Sequence, residues 1–267
     1  MTTARGRRGL RALRAEWTKL RTLRSTGWLL VLAIATTVAL GFALTGWLSY
    51  DDCQSPCRPD MTKLSLAGVR LGQVGIVILA VLTVTAEYST RTIQPTLMAM
   101  PYRLRVVLAK LGVLCVLAVA AGAAGVAGSL AAARYILPRN GFTPANGFGA
   151  LSLADDLVLR AAIGTVLYIG LITLMSAGLG FLLRDTAGAI TAALALLYGS
   201  PVVATFVTDP RWQHRIHRFS PMDAGLAIQS TQGSAEIGPW AGLGVLSLYA
   251  AAAVVAGAVV FRLRDAR

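Results

Sequence analysis

Hydrophobic residues run along this chain in six long blocks, separated by short polar stretches that carry nearly all the charge. No Asp, Glu, Lys or Arg occurs in 27–49, 111–133, 161–183, 186–208 or 237–261, and a sixth block, 67–86, holds Arg70 alone. An α-helix rises about 1.5 Å per residue, so about 20 apolar residues cross a hydrocarbon layer of about 30 Å. The pattern predicts six transmembrane helices at 27–49, 67–86, 111–133, 161–183, 186–208 and 238–261. Arg70 is expected near a membrane face, with its guanidinium reaching outward. Only Arg184-Asp185 separates the fourth and fifth blocks, and one straight helix over 161–208 would overshoot the bilayer, so a tight helical hairpin is predicted there. Gly199-Ser200-Pro201 is expected to kink or break the fifth helix, as a bend on a substrate path or as a structural kink.

Composition supports the membrane assignment. Of 267 residues, 55% are hydrophobic and 14% charged, whereas a soluble domain carries about 25% charged residues. Disordered and collagen-like classes are excluded on the same ground. The net charge of +13 would ordinarily suggest nucleic acid, but its distribution argues otherwise. Six spans place both termini on one side, and that side receives sixteen of the 25 Lys and Arg but four of the 12 Asp and Glu. Basic residues collect on the cytoplasmic side of membrane proteins. Both termini are therefore expected in the cytoplasm of a multi-pass plasma-membrane protein, with no nucleic-acid partner. The first block is too long for a signal-peptide core, and Arg7-Arg8 lies too far ahead of it for an export signal, so an uncleaved first span is expected.

Candidate chemistry is sparse. Gln73, Thr83, Thr85, Thr173 and Ser176 are the main polar side chains inside the spans, and no ionisable group lies deep in any of them. A proton-coupled carrier normally needs one, so energy for any transport is expected from outside the chain. The sequence holds no G-x-x-x-x-G-K-[ST], no H-E-x-x-H and no G-x-S-x-G, and no catalytic residue or metal site is predicted. His214 and His217, beside Arg211, Arg215 and Arg218, read as a solvated or headgroup-facing basic loop. Asp155-Asp156 reads as a helix cap and first-turn acid. Cys53 and Cys57 flank Pro56 in the first outer loop, where a disulfide is permitted. Cys115 reads as a small buried residue. Small residues four apart (Ala118/Gly122, Ala124/Gly128, Ser176/Gly180, Ala253/Gly257) serve either packing within the bundle or a dimer interface.

Two cytoplasmic segments carry the remaining signal. In residues 1–26, Leu10, Leu13, Trp17, Leu20 and Leu23 form one face of a basic amphipathic helix, with Trp17 as an interfacial anchor on membrane lipids. Residues 87–110 are expected to form a short helix ending near Met100 and a second helix that runs from Pro101 into the third span.

Glu16-Trp17-Thr18-Lys19-Leu20-Arg21 resembles the opening of permeases of the type 2 ATP-binding-cassette (ABC) exporters. Glu87, Thr92, Leu97, Pro101, Arg103 and Lys110 are similar to the same family's cytoplasmic loop, although Arg91 stands where Gly is expected. The resemblance covers the whole chain in architecture and some 40 residues in motif. It implies an all-α membrane protein in which 1–26 is an elbow helix (Leu13, Glu16, Trp17, Lys19, Leu20, Arg21), 27–261 a six-span domain and 262–267 a cytoplasmic tail. It also implies that a coupling helix in 87–110 docks on an ATPase through Glu87, Thr92, Leu97, Met100, Pro101, Arg103, Arg105 and Lys110. Two permease subunits, identical or different, would sit on two copies of that ATPase, which would hold the ATP and magnesium; this chain would hold no cofactor. The segment 209–237, followed by Pro239 and Trp240, would form short outer helices over the exit. The rival expectation is a membrane scaffold, sensor or assembly protein that transports nothing.

Overall fold

The computed structural model describes residues 17–18, 24–50, 59–89, 103–149, 151–232 and 237–264; the side chains of 89, 103–106 and 264 lie outside that description. In chain order the helices are α1 (Arg24–Trp47), α2 (Met61–Ser65), α3 (Val69–Ser89), α4 (Arg103–Ile136), α5 (Asp156–Leu183), α6 (Thr186–Phe206), α7 (Pro210–Phe219), α8 (Pro221–Leu226) and α9 (Pro239–Arg264). No strand occurs among the described residues. Of these helices α1, α3, α4, α5, α6 and α9 are long and apolar enough to cross a membrane. They match the six predicted blocks and extend some of them by several residues. The largest extension is α4, whose 34 residues span about 51 Å, more than a bilayer core, so its ends carry Lys110 and Arg134 beyond the apolar stretch.

Local sequence sets the helix starts. Asp155 caps α5 by accepting from the Leu157 N–H, with Asp156 in the first turn. Asp209 caps α7 and Ser220 caps α8, each followed by a proline at the first helical position, where its missing N–H costs nothing. The α5–α6 hairpin turns on Arg184, in the left-handed region at φ 59°, and the Asp185 carboxylate then accepts from the Gly188 N–H at 2.6 Å. Of the expected kink or break at Gly199-Ser200-Pro201, the break is absent: α6 stays helical through Pro201 to Phe206. Spanning helices tolerate proline more readily than soluble ones. The end of α6 is tied to the next helices: Gln213 of α7 donates to the Val207 carbonyl at 2.6 Å, and Ser200 hydrogen-bonds Ser220 at 2.8 Å.

Burial ranks the helices. The apolar windows of α3 and α5 are each 61% buried, that of α4 50%, and those of α1, α6 and α9 between 22% and 28%. Helices α3 and α5 therefore form the centre with α4 half-buried beside them, and α1, α6 and α9 present most of their surface outward. Small residues make the close approaches within this one bundle. A Cβ on Gly178 of α5 would lie 2.5 Å from the Ala253 carbonyl carbon of α9, and one on Gly257 would lie 2.5 Å from the Gly178 oxygen. Gly122 faces Ile169, Gly128 faces Val38, and Gly180 faces Val84. Each small pair thus has an intramolecular use.

Cross-links separate two faces. On one, Lys110 reaches Thr83 and Glu87, and Arg184 donates to the Val260 carbonyl and lies over the Tyr88 ring. This face gathers the α3–α4 connection, the α5–α6 turn and the end of α9. On the other, Asn140 donates to the Thr45, Gly46 and Leu48 carbonyls, and Asp60 accepts from Thr231. That face gathers the end of α1, residues 59–60, the described parts of 137–155, and residues 207–232.

Candidate functional site

On the first face, Glu87 ends the apolar part of α3 and Lys110 begins that of α4. Their side chains are 12% and 3% exposed and meet at 2.9 Å, and the Lys110 ammonium also donates to the Thr83 carbonyl at 3.2 Å. A buried lysine is tolerable only when paired and hydrogen-bonded. Both residues were expected on a docking surface. In the structure they pair with each other, and so link the end of α3 to the N-terminal part of α4 like a clasp. The remaining docking candidates are placed less fully: Arg103 and Arg105 lie in the first turn of α4, their side chains outside the described set, and Thr92, Leu97, Met100 and Pro101 fall outside the described residues. Of the elbow residues, Trp17 is helical and exposed, and Leu13, Glu16, Lys19, Leu20 and Arg21 fall outside. Cys53 and Cys57 also fall outside.

In the half of the bundle toward the second face, a polar network runs through otherwise apolar packing. The Tyr168 hydroxyl donates to Gln73 Oε1, Gln73 Nε2 donates to the Tyr198 oxygen at 3.0 Å, and the Tyr198 hydroxyl donates to the Arg70 carbonyl. Gln73 Nε2 also lies 3.1 Å from that carbonyl and 3.2 Å from Met222 Sδ. Helices α3, α5, α6 and α8 thereby converge on one amide, and buried polar groups satisfied in this way rigidify a core. At its rim, an Arg70 Nη lies 3.6 Å from Asp223 Oδ1, and His217 Nδ1 lies 2.9 Å from Asp223 Oδ2. Arg70 keeps its side chain 48% exposed, as its outward reach requires.

The expectation of a solvated or headgroup-facing basic stretch at Arg211, His214, Arg215, His217 and Arg218 fits α7, none of whose residues is buried, although the stretch is helical rather than a loop. At Ser220 the chain folds back, which brings His217 onto Asp223, and α8 enters the bundle with Met222, Ala224, Gly225 and Leu226 buried. Gly242 of α9 makes room for the Ala224 carbonyl, and the Gly225 backbone packs against the Tyr168 ring. Gln229, which follows, donates to Thr165 Oγ1 at 3.2 Å and to the Leu66 carbonyl at 3.4 Å. A six-residue helix is too short to register as a span, so its burial was hidden from hydropathy.

Helices α1 and α6 both pack on α3 and leave between them a cleft of about 840 Å³. Its walls are mainly apolar, and Asp60, Lys63, Arg70 and Tyr198 lie among its lining. The arrangement can bind and orient a polar group at the edge of an apolar surface. No group of three His, Cys, Asp or Glu able to hold a metal exists among the described residues. The six spans and the buried polar network define a multi-pass α-helical membrane protein. The chain matches no family model and no curated protein.

Proposed function

We propose that the chain is the membrane-spanning permease subunit of an ABC exporter in a bacterial plasma membrane, with both termini cytoplasmic. It moves an amphipathic or hydrophobic substrate outward (a lipid, drug, antibiotic or peptide), using ATP hydrolysed by a separate subunit. The elbow and loop motifs motivate the reading, and the Glu87–Lys110 clasp is the observation that carries it. A loop that transmits force must be anchored at both ends, or a push on it is lost in bending. Here the end of α3 and the start of α4 are joined by a buried ion pair of 2.9 Å, so displacement of 88–109 tilts two spans together. One of them, α3, lies at the centre of the bundle and carries Gln73. ATP-driven closure of two partner ATPases under this loop would then reach the polar network through α3. Two copies of the permease, or two different ones, would complete the transporter.

Orientation tests this directly, because ATP is available only in the cytoplasm. A reporter active only outside the cytoplasm should be active when fused after residue 57 and silent when fused after residue 95. The reverse result would place the loop outside the cell and rule out the proposal.

A further inference from the structure

We infer that the cleft between α1 and α6 binds an anionic phospholipid of the bilayer, with the phosphate on Lys63 and Arg70 and an acyl chain lying between the two helices. The inference goes beyond the transporter reading and does not rest on it. The chain-binding part is lined by Leu40 and Leu44 of α1, Leu71 of α3, Val202 of α6 and Leu226 of α8. Its volume of about 840 Å³ is that of a ligand-sized pocket, which runs about 300–1,000 Å³.

Access favours a lipid. On α1, Leu32 and Phe42 are more than half exposed, and on α6, Val202 and Phe206 are too. Among spanning helices such surfaces face acyl chains. The cleft opens between two of them, so a bilayer lipid enters sideways without leaving an apolar medium.

Charge selects the headgroup. Lys63 and Arg70 are both exposed at the mouth, and the Lys63 ammonium has no partner among the described residues. Two carboxylates are nearby. Asp60 is already engaged by the Thr231 N–H and hydroxyl and by the Lys63 and Gln232 N–H groups, at 2.6–3.3 Å. Asp223 holds His217 at 2.9 Å and Arg70 at a looser 3.6 Å. That leaves the Lys63 ammonium and the outward part of the Arg70 guanidinium for a phosphate, at the depth where cationic side chains meet headgroups.

The test uses the purified, delipidated full chain with equal amounts of phosphatidylglycerol and phosphatidylcholine of the same acyl chains, read by native mass spectrometry. Phosphatidylglycerol should be retained in preference, and Lys63→Gln should lower that preference about fivefold, the weight of one basic residue near an anionic headgroup. Lys63 is exposed, so its variant should keep the wild-type unfolding temperature. Val202→Trp, which fills the cleft from an exposed helix face, should abolish retention of both lipids. Equal retention of the two lipids, an unchanged preference in Lys63→Gln, or undiminished retention in Val202→Trp would each overturn the inference. So would a dimeric mass that retains neither lipid, which would assign the cleft to a second copy of the chain. No ATPase is present in the assay, so its failure leaves the transporter proposal to its own tests.

Discussion

Lys110→Ala is expected to destabilise the protein by about 3–5 kcal/mol, the usual cost of removing one partner from a buried ion pair. The lysine side chain is 3% exposed, and its ammonium lies 2.9 Å from Glu87 and 3.2 Å from the Thr83 carbonyl. Its removal takes the ammonium at 2.9 Å away from the 12%-exposed Glu87 carboxylate. Glu87→Ala should cost a similar amount for the reciprocal reason. The double variant Glu87→Leu/Lys110→Met should recover most of the loss, because apolar residues of similar volume often replace a buried pair at little cost. Unfolding of wild type, Glu87→Leu, Lys110→Met and their double variant in one detergent measures the cycle. Additive losses in the double variant would mean that the two side chains do not interact. The rescued double variant also separates stability from coupling: if the clasp transmits force, the refolded protein should still be impaired in ATP-driven transport.

The second large effect is expected at the α5–α9 contact. Gly178→Ala places a methyl 2.5 Å from the Ala253 carbonyl carbon and 2.6 Å from the Val254 nitrogen. Both are backbone atoms, and neither can rotate away. The helices must separate, and the return contact of Gly257 on the Gly178 oxygen, also 2.5 Å for an added Cβ, is lost with them. A cost of about 3 kcal/mol is expected, at the upper end of ordinary overpacking. Gly244→Ala provides the contrast in α9, since nothing lies within 4 Å of its added Cβ. It should stabilise by about 0.5–1 kcal/mol through the helix preference of alanine over glycine. Comparable unfolding temperatures for the two variants would show that α5 and α9 do not approach as described.

The six spans were legible because crossing a membrane demands about 20 apolar residues in a row, a signal that survives without knowledge of contacts. The Arg184-Asp185 hairpin was legible for a related reason: two charged residues in an apolar run leave the chain one place to turn. The start of α4 was legible as well, since a helix was expected to run from the Pro101 region into the third span, and α4 is continuous from Arg103 through Lys110; what was not legible was that Lys110 pairs with Glu87 in the bundle. The polar network was half legible. Gln73 stood out as an amide in an apolar block, but nothing periodic links it to Tyr168 or Tyr198, which lie 95 and 125 residues away. The burial of α8 was not legible. Pro221–Leu226 follows a strongly basic helix and is short, and its place depends on cavities that Gly225 and Gly242 leave against Tyr168 and Ala224. The pairing of His217 with Asp223 was not legible either, because Asp223 lies on the far side of that fold-back.

Under the proposed function, this chain works on energy delivered by a separate ATPase through the connection between α3 and α4. The most direct measurement is isolation of the chain from its own membranes in mild detergent, with identification of what accompanies it. A P-loop ATPase is expected in equal number, retained by wild type and by the Glu87→Leu/Lys110→Met protein and lost from a folded variant carrying Leu97→Asp and Arg103→Ala. A chain that purifies without any such ATPase, or one that keeps it after the Leu97 and Arg103 substitutions, would rule out ATPase docking at this connection.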